Sequence, residues 1–212
     1  MRGKRLLAGK NLLAGLIVLG AGALAGCSTS GGSMSFGPSY GAVSDAGYRL
    51  PSIPTQKVPE KFRRQTVSYA SKEKPGTIIV DTGERHLYFI LANGKAVRYG
   101  IGVGRQGFTW RGTARIALKR EWPTWTPPKE MIARKPELAK FRNGMDPGVT
   151  NPLGARALYL FNKGGDSGYR LHGTPEWWSI GKAMSSGCIR LLNQDIIDLY
   201  NRADVGAKVI VR

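Results

Sequence analysis

Cysteine and histidine are both scarce in this sequence, which has two of each among 212 residues. Cys27 lies at the end of an apolar N-terminal stretch, so Cys188 has no partner in the chain once that stretch is treated as a leader. Disulfide bonds therefore do not hold the fold together. With so few thiol and imidazole groups and no paired spacing, the sequence predicts no metal site. The unpaired Cys188 is explained either as a small buried hydrophobic residue or as a nucleophile.

Long apolar runs are also missing, and the one short run lies at the N-terminus. Residues 1–26 begin with basic residues and continue with the apolar run Leu12–Leu24, which is the pattern of a bacterial secretion signal. This run is too short, and too rich in Gly and Ala, to predict a membrane-spanning helix. The residues Leu24-Ala25-Gly26-Cys27 resemble the lipobox of bacterial lipoproteins, in which the cysteine is acylated. An ordinary cleaved signal peptide is the alternative.

We therefore expect a protein of the cell envelope of a Gram-negative bacterium. It would lie on the periplasmic side, anchored to the inner or outer membrane through a lipid on Cys27.

Acidic residues are few, 14 against 32 basic ones, and the chain carries a net charge of +18. Removing the four basic residues of the leader leaves +14, a field that favours anionic partners. The basic residues are spread along the chain as far as Arg212, and the chain has no nucleic-acid recognition motif. Nucleic acid is therefore not the expected partner. Acidic envelope polymers and phospholipid head groups fit an exported protein better.

Composition divides the rest of the chain into two parts. Residues 27–75 are rich in Gly and Ser and then in Pro, which predicts a flexible tether to about Tyr48 and a semi-extended lead-in after it. Residues 76–212 have the size and apolar content of one domain with its own core.

Short strand patterns dominate residues 76–212. Strands are predicted at Thr77–Val80, His86–Leu91 and Lys95–Val103, where Asn93-Gly94 indicates a hairpin and the three strands form an antiparallel meander. His86 lies inside one of them and is interpreted as structural. Further strands are predicted at 113–121, 157–161, 169–172 and 207–211.

Two helices are predicted beside these strands. A short helix falls within 128–140, starting near Pro128, and a clearer one follows Cys188 with Asn193 as its N-cap. About seven or more strands and one clear helix indicate a mainly β, β-rich α+β domain, a sandwich or barrel-like fold.

The residues from His172 to Cys188 form the one candidate catalytic arrangement. His172 leaves a predicted strand, and a loop of 15 residues separates it from Cys188. Such a loop can bring an imidazole within reach of a thiol, as a general base requires. The small residues Ser185-Ser186-Gly187 can turn backbone N–H groups toward the reacting centre and stabilise an oxyanion. Spacing alone leaves a structural role for both side chains open.

These motifs resemble those of a known family. His172-Gly173-Thr174, Ser179-Ile180-Gly181 and Ser185-Ser186-Gly187-Cys188-Ile189-Arg190, with Asn151-Pro152-Leu153-Gly154-Ala155-Arg156-Ala157-Leu158, resemble the signature of the L,D-transpeptidase (YkuD-type) catalytic domain. The resemblance covers about 76–212 and implies an L,D-transpeptidase-like β-sandwich.

The resemblance implies acyl transfer on peptidoglycan stem peptides, without a cofactor. Cys188 would attack the third residue of a tetrapeptide stem and release D-Ala. Another stem, a lysine of an envelope protein or water would then accept the acyl group. His172 would act as base and then acid, oriented by the carbonyl of Gly173, where many relatives have Ser. The backbone N–H groups of Gly187 and Cys188 would form the oxyanion hole.

One residue departs from the family pattern. Many members have a second His before the Gly-Cys pair, where this chain has Ser186, a short hydroxyl side chain able to hydrogen-bond near substrate. Arg190 is interpreted either as a ligand for a substrate carboxylate or as a structural residue paired with an acid such as Asp195 or with loop carbonyls.

The tryptophans also have two interpretations, as packing under long loops or as walls of a substrate groove. Packing is expected for Trp122 and Trp125. A groove position is expected for at least one of Trp177 and Trp178, because both lie in the loop between His172 and Cys188.

Two other functions compete with the enzyme. A catalytically inactive peptidoglycan-binding or envelope-tethering lipoprotein with the same fold fits the basic surface and Ser186. A different cysteine peptidase or sortase-like enzyme fits less well, because its nucleophile and base stand in another order or much farther apart.

Overall fold

Strands make up most of the computed structural model, which describes residues 39–105 and 110–212. The leader, Cys27 and the tether before residue 39 lie outside the described residues. Within the described ranges there are thirteen strands and two α-helices, so the predicted mainly β fold class is confirmed. None of the helices in these ranges has the length and apolar character needed to cross a membrane.

The strands are β1 (Val43–Asp45), β2 (Tyr48–Leu50), β3 (Gln65–Ser68), β4 (Ile78–Asp81), β5 (His86–Ile90), β6 (Lys95–Gly100), β7 (Val103–Gly104), β8 (Gly112–Glu121), β9 (Arg156–Asn162), β10 (Gly165–Thr174), β11 (Ala183–Ser185), β12 (Ile189–Leu192) and β13 (Lys208–Val211). The α-helices are α1 (Lys129–Arg134) and α2 (Asn193–Arg202). Short 3-10 helices lie at Thr55–Lys57, Glu60–Phe62, Pro136–Phe141 and Trp177–Ser179.

Nine strands form one mixed sheet in the order β12-β10-β9-β8-β13-β4-β5-β6-β3. The pairs β10–β12 and β13–β4 are parallel, and the other neighbours are antiparallel. β4, β5 and β6 form the predicted meander. Asn93 and Gly94 both have positive φ in the turn between β5 and β6, as a tight hairpin turn of this kind requires.

The sheet curls so that its two halves enclose a common core. One cluster of buried residues joins Tyr99 of β6 to Leu191 of β12, which stand near opposite ends of the strand order. Gly102, just after β6, also exchanges two backbone hydrogen bonds of 2.9 Å with Arg190 of β12. This closed arrangement agrees with the sandwich or barrel-like fold predicted from the many short strands.

The N-terminal part of the described chain is folded onto the domain. β1 and β2 form a hairpin, and β3 extends the nine-stranded sheet at its edge. Tyr40, Leu50, Val58 and Phe62 are buried. The prediction of a flexible tether to about Tyr48 is therefore wrong for residues 39–48. The prediction relied on the Gly- and Ser-rich composition and gave no weight to a few large side chains. Burial of each of these side chains removes enough apolar area from water to hold its part of the chain on the domain.

Helix α2 begins at Asn193, the residue predicted as its N-cap, so the predicted N-cap is wrong. Leu192 occupies the N-cap position, and Asn193 is the first helical residue. The Asn193 side chain donates to the Thr174 carbonyl at 3.1 Å and accepts from the Ala155 N–H at 2.9 Å. It ties the end of β10 to the start of β9, because buried backbone groups need partners.

Candidate active site

Cys188 lies in a short turn between β11 and β12, beside the C-terminal end of β10. β10 and β12 are parallel neighbours in which His172 is opposite Arg190 and Leu171 opposite Ile189. The sheet therefore places Cys188 next to β10, two residues short of the position level with His172. The predicted loop between the two residues departs from β10 and returns beside it, as the sequence suggested.

One groove of about 690 Å³ contains both candidate catalytic side chains. Cys188 and His172 line it together with Ser185, Ser186 and Arg190. Its volume is in the range of small-molecule and peptide sites. Among the described residues, no hydrogen bond joins the His172 ring to the Cys188 thiol. Catalytic hydrogen bonds often tighten only when substrate is present.

The His172 ring is fixed in one tautomer by its neighbour. Its Nδ1 lies 2.6 Å from the Gly173 carbonyl oxygen, and a carbonyl can only accept, so Nδ1 carries the proton and donates. Burial lowers the pKa of His172 from 6.5 to about 4, opposed by the Gly173 bond and assisted by the charges of Arg190 and Arg170. The ring is therefore neutral near pH 7, with a lone pair on Nε2.

Gly173 is required by the packing around that carbonyl. A Cβ at this position would collide with Oδ1 of Asn193 and would lie 2.9 Å from Cγ2 of Ile196. A serine at this position would therefore have no room.

The Cys188 thiol is half-buried and protonated near pH 7. Burial raises its pKa, while a backbone hydrogen bond from Arg170 and the positive charges of Arg170 and Arg190 oppose that increase. A neutral thiol thus faces the same groove as a neutral imidazole. The arrangement suits deprotonation of the thiol during attack better than a preformed ion pair.

The turn before Cys188 is held by Ser185. Its hydroxyl donates to the Cys188 carbonyl at 2.6 Å and accepts from the Gly187 N–H at 3.2 Å. Gly187 has φ +122, which favours glycine. Of the two predicted oxyanion donors, the Gly187 N–H already has this long bond, whereas the Cys188 N–H has no acceptor among the described residues.

Arg190 is paired with an acid, as its structural interpretation expected, but that acid is Glu176 and not Asp195. Nη1 of Arg190 lies 2.7 Å from a carboxylate oxygen of Glu176, within the loop between His172 and Cys188. Asp195 instead contacts the Tyr40 hydroxyl at 3.1 Å and Arg64 at 3.8 Å. Nε of Arg190 is buried and has no hydrogen-bond partner among the described residues.

The tryptophans divide differently from the prediction. Trp122 is buried and stacked on Tyr48, which agrees with packing. Trp125 lines the groove. Trp177 packs at the edge of the cluster that contains Phe62, and Trp178 is 48% exposed; neither is among the groove-lining residues. A role for Trp177 or Trp178 in binding substrate therefore stays a prediction.

The groove is strongly basic. Its cationic lining residues are Arg105, Arg134, Lys135, Arg170 and Arg190, and Glu176 is the one acid among the described lining residues. Sequence reasoning singled out only Arg190. Arg170 could have been found from the period of β10, since it stands two residues before His172 and so faces the same side of the sheet. The sequence around Arg134 in α1 and Lys135 after it has no periodic pattern that predicts their place in the groove.

Arg170 is held in place on two sides. Its guanidinium makes two hydrogen bonds to the Asp166 carboxylate, of 2.7 and 2.8 Å, and lies over the Tyr159 ring at 4.3 Å. Both contacts fix the position of a positive charge beside Cys188.

A cysteine thiol, a neutral histidine ordered by a carbonyl and a basic groove lie together on the curled β-sheet, as thiol-based acyl transfer would require. Residues 75–211 match the model of the YkuD family, the L,D-transpeptidase catalytic domain. The chain belongs to this family.

Curated relatives agree with this assignment. A protein of Fuscovulum blasticum named "Putative L,D-transpeptidase in ATP synthase subunits region ORF 5" is 34% identical over 137 residues, which are 63% of this chain and 68% of that protein. "Probable L,D-transpeptidase YcfS" of Escherichia coli is 36% identical over 137 residues, 62% of this chain. The matched region is only 42% of the length of YcfS.

Among solved structures, one from Brucella melitensis, described as a probable carnitine operon oxidoreductase, is 47% identical with a TM-score of 0.51. The match covers 75% of this chain and 99% of the Brucella chain. That name describes the Brucella protein.

Proposed function

We propose that this protein is a peptidoglycan L,D-transpeptidase that uses Cys188 as nucleophile and His172 as general base and acid. The observation that carries the proposal is the pair itself. Both side chains line one groove, and the Gly173 carbonyl holds the histidine in the tautomer whose Nε2 can accept a proton. The family assignment supports the reaction class.

The first half-reaction would acylate Cys188. The sulfur attacks the carbonyl carbon of the third residue of a tetrapeptide stem while the thiol proton passes to Nε2 of His172. The N–H groups of Cys188 and Gly187 stabilise the oxyanion, the latter by sharing or leaving its bond to Ser185. The amide C–N bond then breaks, D-Ala leaves with the proton from His172, and a thioester remains.

The second half-reaction would transfer the acyl group to an amine. His172 takes a proton from the incoming amine as it attacks the thioester, and the sulfur leaves as the thiol. The side-chain amine of another stem would give a 3→3 cross-link, and a lysine of an envelope protein would give covalent anchoring. Water in place of the amine would give a trimmed tripeptide.

The charge of the groove supports a substrate with several carboxylates. Stem peptides carry free carboxylates, and Arg190 and Arg170 line the groove with Cys188, where Ser186 is exposed at the turn. Ser186 and the basic groove also fit the inactive binding protein, but a thiol and an imidazole that line the same open groove favour the enzyme.

A location in the envelope, with a lipid on Cys27, is part of this proposal. It has its support in the leader and lipobox pattern. Intact-mass analysis of the mature N-terminus tests it: an acylated Cys27 as first residue is expected, and an unmodified N-terminus at another position would refute the anchor.

Incubation of the purified protein with disaccharide-tetrapeptides, followed by chromatography and mass spectrometry, tests the activity. We expect release of D-Ala together with 3→3 dimers or tripeptides, and no product with Cys188→Ala or His172→Ala. A folded wild-type protein that binds the substrate without releasing D-Ala would point to the inactive alternative.

A further inference from the structure

The chain upstream of the family domain contacts the active-site loop. Phe62 ends a short 3-10 helix, Glu60–Phe62, and lies before the matched region 75–211. The backbone there is anchored to the sheet, because the Lys61 carbonyl oxygen is 2.9 Å from Nε2 of His86 on β5. The Phe62 side chain is buried.

The Phe62 ring occupies a space that two glycines leave open. A Cβ on Gly181 would collide with the ring, and a Cβ on Gly100 would collide with the Phe62 backbone. The ring also belongs to one buried cluster with Ile180 and Leu192, and Trp177 packs against that cluster. Ile180 and Gly181 lie in the loop between His172 and Cys188, so Phe62 packs directly on that loop.

The contact between Phe62 and this loop also restrains the turn Ser185–Cys188, because the loop is hydrogen-bonded up to that turn. Gly181 donates its N–H to the Ile101 carbonyl at 3.0 Å, and β11 begins two residues later. β11 pairs with β7 and ends at Ser185, whose hydroxyl holds both Gly187 and the Cys188 carbonyl. A short hydrogen-bonded segment, from Gly181 to Cys188, therefore connects the contact with the Phe62 ring to the nucleophile.

The same N-terminal segment also contacts the element that follows the nucleophile. The Tyr40 hydroxyl donates to Asp195 of α2 and accepts from the Arg64 N–H at 2.6 Å, and the Arg64 guanidinium lies 3.2 Å from Asp198. Gln194 donates to the Gly41 and Pro51 carbonyls. Residues 39–64 thus hold the chain on both sides of Cys188.

We infer that Phe62, outside the family domain, is a positioning residue for acyl transfer because its ring fixes the loop that aligns the Ser185–Cys188 turn with His172. The inference rests on the proposed function for its kinetic readout. A displacement of reacting groups by about 1 Å can cost a factor of about 100 in rate, so loosening this loop should lower kcat more than it raises KM.

The test compares Phe62→Ala with Phe62→Leu and with a matched control, Val67→Ala. Val67 lies in the same upstream region but packs against a different cluster, on Tyr88 and Ile90. All variants are measured as the full chain, at a temperature at which thermal melts show each one folded. We expect kcat about tenfold or more lower for Phe62→Ala, partial recovery in Phe62→Leu, and no change in Val67→Ala.

A second readout does not depend on the proposed substrate. The rate of Cys188 alkylation by iodoacetamide, followed by intact mass, should change at least about fivefold in Phe62→Ala and stay at the wild-type value in Val67→Ala. Unchanged alkylation and an unchanged kcat in folded Phe62→Ala, or equal losses in Val67→Ala, would overturn the inference. If wild-type protein shows no turnover, the proposed function fails, while alkylation still decides the role of Phe62.

Discussion

Replacing His172 with Gln should change how the stability of the protein depends on pH. The ring is buried, and its folded-state pKa is about 4 instead of 6.5, so the folded protein keeps it neutral. Stability from this group is fully present above pH 6.5. It falls as the pH drops toward 4, because the unfolded chain binds the proton first. The difference between the two pKa values corresponds to about 3 kcal/mol of unfolding free energy.

The measurement is urea denaturation of wild type and His172→Gln at pH 7 and pH 4. The comparison between the proteins matters, because burial raises the pKa of Asp195 to about 7 and that carboxyl titrates in the same range with the opposite sign. Both proteins contain Asp195, so its contribution cancels. Wild type should lose about 3 kcal/mol relative to the variant between pH 7 and pH 4. Parallel profiles would refute a buried neutral His172.

Three further predictions concern groups around the site. Gly173→Ser should lower the free energy of unfolding by about 1–3 kcal/mol, seen in urea melts, because its Cβ has no room beside Asn193; unchanged stability would contradict the packing. Glu176→Gln should change it by less than about 1 kcal/mol, since the pair with Arg190 is partly exposed; a larger loss in the same melts would contradict this. Asp195→Asn should gain stability relative to wild type as the pH rises from 4 to 7, because the carboxyl ionises in the unfolded wild-type chain over this range while the buried one stays protonated; a pH-independent difference would contradict its raised pKa.

The sheet and the catalytic pair could be predicted because both depend on local signals. Alternating apolar and polar residues, with turn residues such as Asn93-Gly94 between them, locate the strands. Parallel neighbours such as β10 and β12 end at the same edge of the sheet, which brings their C-terminal residues together. The scarcity of Cys and His then left a single candidate pair, and the family motifs gave it a reaction.

Contacts between residues distant in sequence could not be predicted in this way. Tyr40 and Phe62 lie in a stretch whose composition resembles a linker, and only the folded chain shows that they are buried. Asp195 was the acid named for Arg190 from the sequence, whereas the folded loop brings Glu176 to it. Asn is a common N-cap residue, but the Asn193 side chain forms hydrogen bonds with buried backbone groups of Thr174 and Ala155 and therefore does not cap α2.

The central claim, that Cys188 carries the acyl group, is tested most directly by intact-mass spectrometry after mixing the protein with a tetrapeptide stem and no amine acceptor. The account predicts a covalent adduct on Cys188 with the mass of the stem minus D-Ala, formed together with free D-Ala and absent from Cys188→Ala. Release of D-Ala by Cys188→Ala at the wild-type rate, or an adduct on another residue, would contradict it.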